Sequence, residues 1–231
     1  MKKTIFDHKV KKTKFFKIFL RDTKKRIINE KLGINSSWKW FNDPRQFFIS
    51  LDRYKFVAKI LSGKKNVLEI GCSDGFNSRI VKQEVNNLDL CDIDENLLNE
   101  ARLNSSARWK SKIFFHDFLK NKTIKKYDAI YLLDVLEHIS KSLEKKFIKN
   151  ILKSLDDNGV LIIGMPSKEF QKYSRPINIS GHINCKTAKD FKNLMNNFFH
   201  NVFIFSMNDE LVHTGFEKMS CYFFAICTIK K

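Results

Sequence analysis

Apolar residues follow two rhythms along the chain, and the rhythm changes at Ser62-Gly63. Before that point the spacing is helical. Phe47, Phe48, Leu51, Tyr54, Phe56, Val57, Ile60 and Leu61 fall near one face of a helix that Asp43-Pro44 starts, with the proline at its first position. After it, short apolar runs alternate with amphipathic ones. "NVLEI", "NLDLCDID", "KIFFHDF", "YDAIYLLD" and "GVLIIGMP" read as strands. Asp94 is placed to cap the helix "ENLLNEARL", and "SLEKKFIKNILKSL" and "TAKDFKNLMNNFF" are further helices. "NVFIFSM" and "CYFFAICTI" are two more strands joined by residues 208–220, which predicts an antiparallel pair at a sheet edge. Residues 167–185 show no clear period, and "GINSSWKWFNDP" (33–44) reads as a loop.

Strands that are almost continuously apolar and alternate with helices predict an α/β fold. The expected sheet has seven strands, mostly parallel with the last reversed, and helices on both faces. A helical arm is expected over residues 7–31. The chain divides into residues 1–62, a basic arm with a lid segment, and residues 63–231, the sheet domain. Ligands of such sheets bind beyond the carboxyl ends of the strands, where strand order reverses.

Charge and cysteine content narrow this picture. The net charge is +18, and residues 1–31 hold twelve Lys/Arg against Asp7, Asp22 and Glu30. Such an arm suits nucleic acid, anionic lipid or a phosphorylated substrate; equally, lysines gather on solvated faces in a chain rich in Lys, Asn, Ile and Phe. Arginines are few beside lysines, without the arginine–aromatic interleaving of nucleic-acid surfaces. No apolar run approaches the ~20 residues of a spanning helix, and "KFFKIFL" has no cleavage site after it, so no signal peptide is expected. Five cysteines without a C-x-x-C predict reduced thiols and a cytoplasmic location.

The stretch "EIGCSDGF" (69–76) fits two chemistries. G-x-S-x-G is the elbow of a serine hydrolase, with Ser73 as nucleophile. A glycine turn between a first strand and a first helix instead cradles a nucleotide-like cofactor, Gly71 turning tightly and Gly75 allowing close approach. The elbow belongs deeper in a sheet and needs an acid and then a histidine, for which His182 and His213 are available. It leaves Asp92 unused. The cofactor turn uses it: Asp92 lies 21 residues after Gly71 at a strand end, where a carboxylate accepts from ribose hydroxyls. Asp117, ending the third strand, is placed to accept from an exocyclic amine, with Phe118 against the ring.

Together "VLEIGCSDGF", "CDID", "HDF" and "YDAIYLLDVLEHI" resemble the successive motifs of class I S-adenosylmethionine-dependent methyltransferases, closely over roughly residues 50–165. The segment "LDRYKFVAKILSGKKNVLEIG" is similar to the helix before the first strand in bacterial members, many acting on surface sugars. The resemblance implies a Rossmann-like sheet over 63–231. It also implies a turn from Glu69 through Gly71, Cys72 and Ser73 to Gly75 that holds methionine and ribose. Asp92 would take the ribose hydroxyls, Ile93, Asp117 and Phe118 would frame adenine, and Leu133 and Asp134 would lie beside the amine and sulfonium. Arg53 is the candidate for the methionine carboxylate. Ser73 departs from the family's usual glycine.

Methyl transfer needs alignment of the acceptor, exclusion of water and, for a hydroxyl, help with its proton. His138 in "DVLEHI" and His182 in "SGHIN" are the candidates, with Asp134 beside them. Asp134, Glu137 and His138 also offer oxygen and nitrogen ligands to a divalent metal, which is possible but not assigned. Trp38 and Trp40 could stack on an acceptor or anchor the arm. The leading expectation is O-methylation of a sugar, or of a nucleotide-linked or phosphorylated sugar, in surface polysaccharide synthesis. A quinone or lipid acceptor with the arm on a membrane, an RNA acceptor, and a non-catalytic cofactor-binding subunit are the alternatives.

Overall fold

The computed structural model describes residues 31–231 together with Lys14, Lys17, Ile18 and Arg21. Apart from those four positions, the helix expected over 7–31 lies outside the described residues.

Every expected strand forms. β1 (Asn66–Ile70), β2 (Asn87–Asp92), β3 (Lys112–Phe115), β4 (Tyr127–Leu133) and β5 (Leu155–Pro166) are parallel; β6 (Phe199–Asn208), β7 (Leu211–His213) and β8 (Tyr222–Lys230) complete the sheet. The order is β3-β2-β1-β4-β5-β8-β6-β7. β8 runs antiparallel to both β5 and β6. The chain thus winds outward from β1 to β3 and restarts at β4 on the other side of β1, which leaves a crevice above the ends of β1 and β4.

Among the described residues the sheet has eight strands rather than seven. The extra one is β7, three residues within the 208–220 connection that pair with β6. It forms because Asp209 takes a left-handed backbone (φ 46°), which a two-residue hairpin turn needs. The β6–β8 pair is present as expected, but β8 lies inside the sheet and β7 takes the edge.

Alternate residues of each strand enter opposite cores, which is why the runs are apolar throughout. Leu68, Ile70, Ile130, Leu132, Leu161 and Ile163 face α5 (Glu144–Ser154) and α7 (Ala188–Asn196). Val67, Ala129, Tyr131, Leu133 and Ile162 face the other way, toward α2 (Pro44–Ile60), α3 (Ser78–Lys82) and α4 (Glu95–Asn104). Helix α2 starts where the sequence places it. Asp43 accepts from the Gln46 N–H at 3.1 Å, and Pro44 follows at the first position. Its Tyr54, Val57 and Ala58, with Leu61 beyond, are buried; each fully buried aliphatic contributes about 1.5–3 kcal/mol.

Two connections are more ordered than their sequence suggests. Residues 33–44, read as a loop, contain helix α1 (Ile34–Asn42). Its N-cap, Gly33, has no side chain to offer, so the cap arrives from elsewhere. Asp74 accepts from the Ser36 N–H at 2.8 Å and from the Ser36 hydroxyl at 3.0 Å. Residues 167–185 hold a 3₁₀ turn (Glu169–Tyr173) and the short helix α6 (Pro176–Gly181).

Candidate active site

The turn after β1 is built by backbone. Gly71 and Cys72 both donate to the Cys91 carbonyl, at 2.8 and 3.1 Å, which binds the turn to the end of β2. Gly71 has φ 77°, and a Cβ there would fall onto Val135 Cγ2. Ser73 also has positive φ (55°), without glycine's freedom. Its N–H donates to Asp92 Oδ2 at 2.9 Å, and its hydroxyl accepts from Asn35 Nδ2 at 2.7 Å. The hydrolase triad is therefore not assembled: His182 bonds Gln171, and His213 bonds Asn208.

A cavity of about 430 Å³ opens beside this turn. Asp92, Ile93, Asp117, Phe118, Asp134 and His138 all line it. Asp92 Oδ1 accepts from the N–H groups of Ile93 (2.7 Å) and Asp94 (3.1 Å), so the carboxylate is fixed at the end of β2. Asp117 is fixed likewise by the Leu119 N–H at 2.8 Å. Ile93 is exposed at the rim, while Phe118 is buried and packs edge-on against His116 with ring centres 4.4 Å apart. A smaller hollow of about 120 Å³ on the other side of the turn is lined by Cys72, Ser73, Leu133 and Asp134 and by Asn35 and Ser36 of α1.

Two expected residues stand elsewhere. Glu69 lines neither cavity. It is buried under the turn between Tyr54 and Tyr131, whose hydroxyls donate to it at 2.7 and 2.6 Å. Burial pushes its carboxyl up to about 7 against those hydrogen bonds. Arg53 is committed to Asp134, with Nη1 at 3.1 and 2.9 Å from the two carboxylate oxygens and its guanidinium 3.8 Å over the Tyr222 ring. Asp134 has φ 57°, so a strained backbone presents this pair at the end of β4.

The side of the crevice above β4 and β5 is assembled by long-range contacts. Glu144 and Lys186 form a buried ion pair (2.7 Å) that also holds Asn184, and the Asn184 amide donates to the Ile139 carbonyl at 2.9 Å. This clamps the chain after α6 onto the turn after β4. His138 and His182 then meet with ring centres 5.2 Å apart. Burial, then the neighbouring His138, lowers the His182 pKa from its ordinary value. Glu137 lies between them, fully buried, and burial followed by the charge of Asp134 holds its carboxyl well above the carboxylate range.

Sequence reasoning missed Asn35, Asp74, Val135 and Gln171. Asp74 gave no local signal, because the helix start that it caps lies 38 residues earlier in the chain. Trp38 and Trp40 belong to α1, where Trp40 packs edge-on against Phe47 and Phe48 and Trp38 is exposed. Among the described residues no helix is long and apolar enough to cross a membrane. All five cysteines are free.

The same fold occurs in solved structures. The methyltransferase domain of the bacterial protein CtHen1-C aligns with a TM-score of 0.66 at 17% identity, over 79% of this chain and 100% of that one. The N-methyltransferase NodS from Bradyrhizobium japonicum WM9, in complex with S-adenosyl-L-homocysteine, aligns with a TM-score of 0.64 at 17% identity, over 90% and 97%. Magnesium protoporphyrin IX methyltransferase from Synechocystis PCC 6803, with bound S-adenosylhomocysteine, gives 0.60 at 16%, over 92% and 100%. No curated protein matches the sequence. The family model described as "Methyltransferase domain" matches residues 43–198, from the start of α2 to the end of the helical segment before β6. The chain belongs to that methyltransferase-domain family.

Proposed function

We propose that the protein transfers a methyl group from S-adenosylmethionine to an oxygen of a small hydroxylated acceptor, a sugar or a phosphorylated or nucleotide-linked sugar. The observation that carries this reading is a cavity lined by two fixed carboxylates and by His138, with the His182 ring packed against His138.

The residues present fit the cofactor. Asp92 Oδ2, which accepts only from the Ser73 N–H, keeps a lone pair for a ribose hydroxyl, and Asp117 keeps one for the adenine amine. Ile93 and Phe118 flank the ring. Gly71, pressed against Val135, admits no side chain between turn and ligand. The Asp134 carboxylate suits the methionine amine. Arg53, already paired with Asp134, orients that carboxylate rather than taking the methionine carboxylate as the sequence suggests.

S-adenosylmethionine, when bound, supplies an electrophilic methyl on a sulfonium. The chain's part is to exclude water, align the acceptor oxygen with the S–CH₃ bond and relieve that oxygen of its proton. The oxygen's electron pair forms the new C–O bond, the S–C pair stays on sulfur, and the acceptor proton leaves through the side holding His138 and His182. A groove of about 750 Å³ along the same connection, lined by Lys168, Lys172 and Lys218 with Phe170 and Tyr173, suits an anionic sugar: cations for phosphate, rings for the apolar sugar face.

The test is S-adenosylhomocysteine release from S-adenosylmethionine across a panel of sugar phosphates and nucleotide sugars. Activity is expected there, with Asp92→Asn weakening cofactor binding about tenfold or more. Turnover on RNA or a quinone alone, or cofactor binding without turnover on any acceptor, would sink the sugar reading.

A further inference from the structure

We infer that Glu137, His138 and His182 form a binding site for one divalent transition-metal ion. One oxygen of Glu137 and one nitrogen of each histidine lie within 4.8 Å of one another. Ligands of one ion at roughly 2.1 Å stand about 3.4 Å apart in tetrahedral geometry, so a pair at the full 4.8 Å would close by about 1.4 Å on binding.

The Glu137 carboxylate is the first reason. It is 0% exposed, and neither oxygen has a hydrogen-bond partner among the described residues. An unpaired buried carboxylate costs several kcal/mol, so some counter-charge or proton must answer it. Arg53 is already paired with Asp134.

The histidine tautomers are the second and independent reason. His138 Nδ1 lies 2.8 Å from the Gly181 carbonyl, which can only accept, so Nδ1 carries the hydrogen and Nε2 keeps its lone pair. His182 Nδ1 lies 3.0 Å from Gln171 Oε1. The Gln171 amide cannot turn around without loss, because its Nε2 donates to the Ser167 carbonyl at 3.2 Å. His182 therefore also donates through Nδ1 and frees Nε2. Both rings are held from behind by oxygen acceptors, the arrangement by which metal-ligating imidazoles are oriented. Two imidazoles with one carboxylate favour an ion of the manganese–cobalt–zinc class over magnesium or calcium.

Three protein ligands leave open positions. On the methyl-transfer reading above, and only on it, the acceptor hydroxyl takes one of them. Its proton would pass to solvent near neutral pH, since metal ligation lowers the pKa of a bound hydroxyl strongly. The two histidines then act as ligands, not as bases.

The site is tested by titrating the metal-free full-length protein with Co²⁺ and following visible absorption and stoichiometry. One ion per chain is expected, with affinity reduced about 10–100-fold in Gln171→Ala and more in His182→Ala and Glu137→Gln, while S-adenosylhomocysteine affinity is unchanged. His182→Ala carries the result should Glu137→Gln fail to fold. Absence of a Co²⁺ spectrum, or wild-type affinity in His182→Ala, would overturn the site. Methyl transfer undiminished after complete chelation would overturn the metal's use. Normal Co²⁺ binding without methyl transfer to any acceptor would instead count against the catalytic reading and leave the site standing.

Discussion

The two halves of the crevice are made differently. The half above β1, β2 and β3 is built from short-range backbone: a turn bonded to the next strand, and carboxylates that accept from N–H groups one or two residues on. The half above β4 and β5 is built from side chains far apart in sequence: Arg53 with Asp134, Glu144 with Lys186, His138 beside His182. The second depends on pairs as far as 81 residues apart in the chain.

Substitutions sharpen the contrast. Gly71→Val is expected to have the largest effect. It needs a left-handed valine and drives its side chain into Val135. S-adenosylhomocysteine affinity, measured by calorimetry, should fall about 1,000-fold or more, roughly 4 kcal/mol. Retained tight binding would mean that the turn is softer than its packing implies.

Lys186→Met attacks the other half. It leaves the Glu144 carboxylate buried without its cation, and about 3–5 kcal/mol of stability should be lost in urea denaturation. Any folded fraction should bind S-adenosylhomocysteine normally yet turn over acceptor poorly. Equal loss of both would show that the halves are one unit.

Glu69 sits beneath both. Its carboxyl, pushed up to about 7 by burial, binds a proton more readily folded than unfolded. Stability from this group is therefore fully present below pH about 4.5 and lost as pH rises through about 7. The span is about 3 kcal/mol. Glu69→Gln should remove that slope, as read from denaturation midpoints at pH 5 and pH 8.

Asp74→Ala removes the distant cap of α1 and should cost about 1 kcal/mol, with faster proteolysis of residues 34–42. Ser73→Gly is the smallest change. Relief of about 1–2 kcal/mol of left-handed strain offsets loss of the Asn35 hydrogen bond, so stability and cofactor affinity should move by less than about 1 kcal/mol.

Legibility in the sequence follows the same division. Each strand, the Asp43-Pro44 start, the Asp94 cap and the glycine turn are local patterns, and each was readable from a window of a few residues. The place of Asp92 at the end of β2 was readable because strand, turn and helix fix its distance from Gly71. Helix α1 was not, since its cap is 38 residues away in Asp74. Nor was the position of Arg53, whose partner lies 81 residues on. Glu69 stands in a cofactor motif, and only the tyrosines that converge on it from α2 and β4 reveal a structural carboxyl. His138 and His182 could be named from their loops, but their tautomers depend on Gly181 and Gln171.

The place of β8 has a consequence for synthesis. All five parallel strands leave the ribosome before it, as does β6, yet β8 fills the gap between β5 and β6. Until it emerges, β5 offers an open apolar edge, with Leu161 and Ile163 already formed into one face. The nascent chain therefore passes through a stage in which a second copy can pair with that edge, and strand exchange there is the misfolding route this topology invites.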